Sequence, residues 1–381
     1  MLATTFEIAG RCPKAHLSLA DIKDFGLRES GQIAAEGILE NPHITLYSLD
    51  FGNRRAVFVE TPPDVNLSQA PFYYLAQYEN AVRVLTVSFE TMIHLAQSVI
   101  VDDERLIFIH SVGRAGSTLA SRIFADVEGV VNISEPDALT QLVIARYYQP
   151  DNKVNLMALL DATVRLLCKT PPQTAWVIKG RSFVIELGDW LRHLYPRTKN
   201  LFLYRDAESW LQSGLTAYND GVERTDEERW AIEDRVRGFM TPFTPLIAQY
   251  DADQRLSFAG IYALMWLSVM ERYMQLHGMG IDILAIRYAS WRSAPRETVV
   301  AMLDYCACRP VDMTAVYERL TKDSQASISR LSQEETARRK KRGTRASDLD
   351  ELNRHLQKHP SIRVADFEAP NTLKTPYSNS Q

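Results

Sequence analysis

Five short, almost wholly apolar runs recur between residues 106 and 288: "LIFIHSV", "GVVNIS", "AWVIKG", "NLFLYR" and "DILAIRY", each separated from the next by a stretch of helical spacing. A strand covered on both faces must be apolar at successive positions rather than at alternate ones. The pattern therefore predicts an α/β fold over residues 101–325, a three-layer sandwich with a central parallel sheet. Ligands of such sheets gather at the carboxyl ends of the strands, so the residues that close each run carry the most information.

The flanks read differently. Residues 1–100 form an N-terminal α+β accessory region, with strand-like runs "HITLYSLDF" and "RAVFVE" ahead of "PFYYLAQYENAVRVLTVSFETMIHLAQSVI". In that segment Leu75, Tyr78, Val82, Leu85, Phe89, Met92 and Ala96 fall three or four apart, which predicts one amphipathic helix opening at Pro71. From about Asp323 the chain turns polar and basic, so residues 326–381 read as a basic segment and a loose tail ending "APNTLKTPYSNSQ".

Composition narrows the function classes. With 46% hydrophobic residues in 381, the chain can bury a large core, and a net charge of −4 gives no general field for nucleic acid. The run "FAGIYALMWLSVM" at 258–270 is too short for a bilayer and reads as a buried helix, so no membrane partner is expected. The opening residues lack the apolar stretch of a cleavable signal, and four cysteines make no disulfide framework. A cytoplasmic location follows as the expectation.

The first run leads into "FIHSVGRAGSTLASRIF", strand, glycine loop and helix in order. Gly113 and Gly116 allow the amides of Arg114-Ala115-Gly116-Ser117-Thr118 to close on an anion, and the helix amino terminus adds partial positive charge. The sheet is thus of P-loop nucleotide-binding type, yet no Lys-Ser or Lys-Thr pair follows, so Walker A spacing fails and Arg114, the loop's strong cation, is a candidate catalytic as well as cofactor-binding residue. The competing reading is a tight turn.

"NLFLYRDAESWLQSGL" ends a strand at Arg205 and carries Ser213 eight residues on, so both can reach one anion if the helix folds back across the sheet edge. Alternatively, Ser213 packs beside Gly214 and Arg205 pairs with Asp206 or Glu208.

Taken together, these motifs resemble the PAPS-dependent sulfotransferase family over residues 105–330. Arg114 to Thr118 is similar to its 5′-phosphosulfate loop, and the Arg205 and Ser213 spacing to its 3′-phosphate signature. "DILAIRYASWRSAPRETVVAMLDYCACRP" resembles its late strand and Tyr-Glu-x-Leu turn, with Tyr288 matching the tyrosine and Ala289 replacing the acidic residue. The resemblance implies PAPS as co-substrate, PAP as product, no required metal, and a small-molecule or glycan-like acceptor.

Sulfuryl transfer needs alignment, charge stabilisation and deprotonation of the nucleophile, by analogy with phosphoryl transfer. No metal-ligand spacing is visible; Cys306 and Cys308 form a lone C-x-C and read as buried thiols. Lys179 ends "AWVIKG" where the family often carries Lys-Thr-His, which implies that it stabilises the departing phosphate oxygen; the competing reading is a surface strand-end lysine. Arg181 stands where a base would stand and cannot serve as one. Glu135, after the second run, resembles the base glutamate of the tyrosylprotein and glycan branches, and Asp137 competes for that role. The bland alternative gives Glu135 a salt bridge and makes Asp137 a helix cap. His110 reads as a core histidine. Ser327 and Arg330 are expected at the nucleotide, while the cations Arg338 to Arg342 fit a solvated helix or a flap over the cofactor. A kinase or NTPase of the same sheet, or a non-catalytic nucleotide-binding module, remains the alternative.

Overall fold

A computed structural model of the chain describes residues 1–14, 18–148, 155–169, 175–217, 224–250, 254–324 and 344–374. Ser327, Arg330 and the 338–342 run lie outside the described residues. The chain divides into two compact units, Met1–Phe108 with Glu128–Thr198, and Ile109–Val127 with Lys199–Gln381.

The first unit opens with five antiparallel strands, β1 (Leu2–Arg11), β2 (Phe25–Ala34), β3 (Ile44–Asp50), β4 (Arg55–Glu60) and β5 (Arg83–Ser88), ordered β2-β1-β5-β4-β3. β5 corrects the sequence reading of one helix from Pro71. The segment is a helix, Tyr73–Asn80, then β5, then a second helix, Phe89–Ala96. The reason lies in "RVLTVS": Leu85 and Val87 enter one apolar cluster while Val84 enters another, the alternation of a strand lined on both faces. β5 is hydrogen-bonded to β1 on one side and β4 on the other. Val82, assigned to the apolar stripe of the expected helix, is 55% exposed.

The apolar runs become β6 (Leu106–Ser111), β7 (Val130–Ser134), β8 (Ala175–Lys179), β9 (Lys199–Tyr204) and β10 (Leu284–Arg287). They make a five-stranded sheet ordered β10-β9-β6-β8-β7, in which β7 with β8 and β9 with β10 run parallel. This is the α/β architecture the runs require. In the first unit the helix Asp137–Tyr148 packs on β3, and Gln141 ties the two: its Oε1 accepts from Leu49 N at 2.7 Å and its Nε2 donates to Ala20 O at 2.8 Å.

In the second unit the run at 258–270 lies in the buried helix Phe258–Gly278, capped by Ser257, whose hydroxyl accepts from Gly260 N. Tyr273 from this helix stacks on Phe202 of β9 with ring centroids 4.3 Å apart. Among the described residues no helix is long and apolar enough to cross a membrane. The expected loose tail is corrected in part. A helix, Ala346–Lys358, packs on Phe258–Gly278, and beyond it Ala285 N of β10 donates to Asn371 O at 3.1 Å while Leu373 N donates to Ala285 O at 2.7 Å. The backbone of an edge strand has polar groups to satisfy, and this polar segment satisfies them.

Candidate functional site

In the second unit, β6 stops at Ser111 and the next helix, Ser117–Ala125, starts six residues later. Between them Gly113, Arg114 and Gly116 have φ of 75°, 51° and 86°. Positive φ at three of four successive residues marks a tight turn between strand and helix, a conformation that favours glycine at 113 and 116. Gly116 is needed there twice over. Its φ favours glycine, and a Cβ would come within 3.2 Å of Trp291 Cδ1 and Nε1 and 3.6 Å of Tyr288 Cδ2. Ala115, Ser117 and Thr118 are buried around it. Trp210 fastens the loop's other end, its Nε1 donating to Val112 O at 2.9 Å and Gly113 O at 3.0 Å.

Arg114 Nε donates to Ser213 Oγ at 3.1 Å, so the fold joins the glycine loop to the serine of the second motif. Ser213 is thereby more than a packing neighbour of Gly214. Arg205 follows β9, and its Nε donates to Ser209 Oγ at 2.6 Å while its guanidinium lies 4.6 Å from the Tyr288 ring centroid. Asp206, one of the two carboxylates the bland reading offered as a partner, instead accepts from Ser209 N at 2.8 Å, and no ion pair joins Arg205 to it or to Glu208 among the described residues. No hydrogen bond joins Arg205 to Ser213 among the described residues.

Burial holds the Arg205 guanidinium below the usual arginine range, the charges of Arg114 and Arg292 add to that, and Tyr288 and Asp206 oppose it. Three cations thus act on one region. Arg292 was missed in the sequence; its signal is its place four residues after Tyr288, one helical turn along the short helix Tyr288–Ser293.

In the first unit the register of the parallel strands sets a second arrangement. Ser134 of β7 stands opposite Lys179 of β8, and Glu135, one residue further, has φ 60° and donates its N–H to Lys179 O at 2.6 Å. The two side chains meet as an ion pair, Lys179 Nζ against Glu135 Oε1. Lys179 is 2% exposed, which removes the reading of a surface lysine. Gly180 follows because a Cβ there would stand 2.6 Å from Val184 Cβ.

Asp137 and Arg181 form a separate pair. Arg181 Nε donates to Asp137 Oδ1 at 2.8 Å and its Nη2 to Oδ2 at 3.1 Å, while Ala20 N reaches Oδ2 at 2.7 Å. Burial is the largest single influence on Arg181 and opposes its charge, but Asp137, Tyr74 and Glu135 together outweigh it and push the guanidinium up; the Tyr74 ring centroid lies 4.5 Å away. With both oxygens engaged, Asp137 is bound into the structure, and Glu135 is the carboxylate paired with a strand-end lysine.

His110 in β6 is buried and pulled down to about 4 by desolvation, so it is a neutral core group at neutral pH. Cys306 and Cys308 are free thiols pushed up by burial. Among the described residues no group of three or more His, Cys, Asp and Glu could hold a metal ion.

No protein-family model matches the chain, and no curated protein does. Among solved structures, the sulfotransferase domain from the curacin biosynthetic pathway matches 58% of this chain and 80% of its own at 13% identity, with a TM-score of 0.34. A sulfotransferase from Alicyclobacillus acidocaldarius matches 56% and 89% at 16% identity, with a TM-score of 0.36. One from Mycobacterium tuberculosis H37Rv matches 60% and 73% at 12% identity, with a TM-score of 0.34. The chain is similar to these at low score and low identity, and the chemistry of its site rests on its own residues.

Proposed function

We propose that the chain is a PAPS-dependent sulfotransferase acting on a hydroxyl or amine of a small-molecule or glycan-like acceptor and releasing PAP. The observation that carries the reading is the bond from Arg114 to Ser213, which links a phosphate-type loop to the strand-end motif that the family uses for a 3′-phosphate. A nucleotide with phosphates at both ends of its ribose has the chemistry to engage both. Gly113 to Thr118 would hold the 5′ side through amides and hydroxyls, Arg205, Ser213 and Arg114 the 3′-phosphate, and Tyr288 the nucleoside. Ser327 and Arg330 are proposed as further nucleotide contacts, and the N-terminal region as the part that shapes the acceptor site in a cytoplasmic enzyme.

Transfer is direct and in line: the bond from sulfur to the bridging phosphate oxygen breaks as a bond from sulfur to the acceptor oxygen or nitrogen forms. Lys179 stabilises charge on the departing oxygen, and Glu135 takes the acceptor proton. Their mutual ion pair keeps each beside the other until substrates take over the contacts.

Calorimetry without added metal tests this reading. PAP should bind much more tightly than ADP, and equal affinities would overturn the assignment; binding of ADP that needs Mg²⁺ would favour a kinase or NTPase. With an acceptor found by screening with labelled PAPS, Glu135→Gln should cost roughly 100-fold in turnover and leave PAP affinity unchanged. Full turnover in that variant would move the base elsewhere.

A further inference from the structure

Three indoles lie in the core of the second unit, and two of them have identified partners. Trp210 Nε1 donates to Val112 O and Gly113 O, and Trp266 Nε1 donates to Arg205 O at 2.9 Å. Trp291 differs. It is 7% exposed, and its Nε1 is buried with no hydrogen-bond partner among the described residues. A buried indole N–H normally finds an acceptor, because leaving one unmade forfeits its hydration with no return. Phenylalanine would fill the same space without that cost.

The place of this donor is specific. Nε1 lies 3.2 Å from where a Gly116 Cβ would stand, so the N–H edge of the ring abuts the residue immediately before the helix Ser117–Ala125. Tyr288, one helical turn earlier, lies against the same glycine and also under Arg205. The short helix that carries both rings is fixed from behind, where Ala294 N donates to Ser290 O at 3.0 Å and Thr298 Oγ1 to the same oxygen at 3.1 Å. The loop's own arginine directs its Nε to Ser213, toward the proposed 3′-phosphate. A fixed neutral donor therefore stands at the loop's helix end.

We propose that Trp291 is a nucleotide-binding residue whose Nε1–H donates to an oxygen of the 5′-phosphate end of the ligand at Gly113 to Thr118. The proposal rests on the reading of that loop as a PAPS site, and it adds a residue that this reading does not require.

The test compares two ligands on the full chain by calorimetry: PAP, and adenosine 3′-phosphate, which lacks the 5′ group. Trp291→Phe should weaken PAP about 10-fold and change adenosine 3′-phosphate less than twofold. In the wild-type protein the Trp291 indole N–H resonance, assigned by its loss in the variant, should shift downfield on titration with PAP and not with adenosine 3′-phosphate. If Trp291→Phe does not fold, 3-benzothienylalanine at position 291 keeps the ring and removes only the N–H, and it should show the same ligand-dependent loss. Equal losses for both ligands, or no loss with an unmoved resonance, would overturn the role of Trp291 and leave the nucleotide site standing. Failure of the wild-type protein to bind PAP at all would overturn the site itself, and this role with it.

Discussion

In the first unit Lys179 meets Glu135 and Arg181 meets Asp137, each cation against its own carboxylate. In the second, Arg205 is met by a serine hydroxyl and a tyrosine ring, with Arg114 and Arg292 raising the cost of its charge, while His110 escapes the same problem by losing its proton. The difference separates two uses of positive charge. A paired cation is compensated whether or not anything binds, so its pairing serves architecture or proton handling. Like charges held near one another raise the cost of each, and part of that repulsion is relieved when an anion arrives.

Breaking the pairing should have the largest effect. Asp137→Asn leaves Arg181 charged, 12% exposed in its side chain and without its carboxylate, and is expected to cost about 3–5 kcal/mol of stability in denaturant unfolding. A loss under about 1 kcal/mol would show that the first unit does not depend on that pair.

The neutral histidine gives an effect of similar or slightly smaller size with a definite sign. Between pH 6.5 and about 4 the unfolded chain binds a proton at His110 that the folded chain refuses, so stability rises with pH across that window. Acidification through it should remove about 3 kcal/mol, as the separation of the two pKa values requires. His110→Gln should flatten this part of the pH profile, and an unchanged slope would assign the loss to other groups.

The arginine cluster should give the smallest effects on folding and graded effects on binding. Arg205→Ala is expected to weaken PAP by about 100-fold, because it removes a buried charge-assisted contact. Arg292→Ala, at an exposed position, should weaken it by only about 2-fold to 5-fold and lose even that at high salt. Neither should destabilise the protein as Asp137→Asn does; if both do, the contrast between the units fails.

What the sequence revealed was what depends on local pattern. The apolar runs made the strands legible, and the glycine loop and the spacing of Arg205 and Ser213 pointed to residues that the fold places in one unit. The helix from Pro71 misled because Val82, Leu85 and Phe89 happen to fall at helical intervals, while the decisive fact, that β5 is held between β1 and β4, is a long-range pairing. Trp291 and Arg292 were missed for the same reason: each matters through a neighbour more than 80 residues distant, Gly116 for one and Arg205 for the other, and the one local signal, the helical spacing of Arg292 from Tyr288, gains meaning only once that neighbour is in place. Asp137 was read as a competing base or a helix cap because its partner Arg181 is remote in sequence, though adjacent across the register of β7 and β8.

The segment that meets Ala285 through Asn371 and Leu373 has a consequence for proteolysis. β10 lies at the end of its sheet and leads directly into Tyr288 and Trp291. A cut just before Pro370 would remove the bonds that Asn371 and Leu373 make to Ala285 on the side away from β9, opening a sticky edge to other copies of the chain and loosening the two rings that brace Gly116. Protease clipping near this segment should therefore show itself twice, as aggregation and as weakened binding of the proposed nucleotide, although the cut touches none of the residues proposed to hold it.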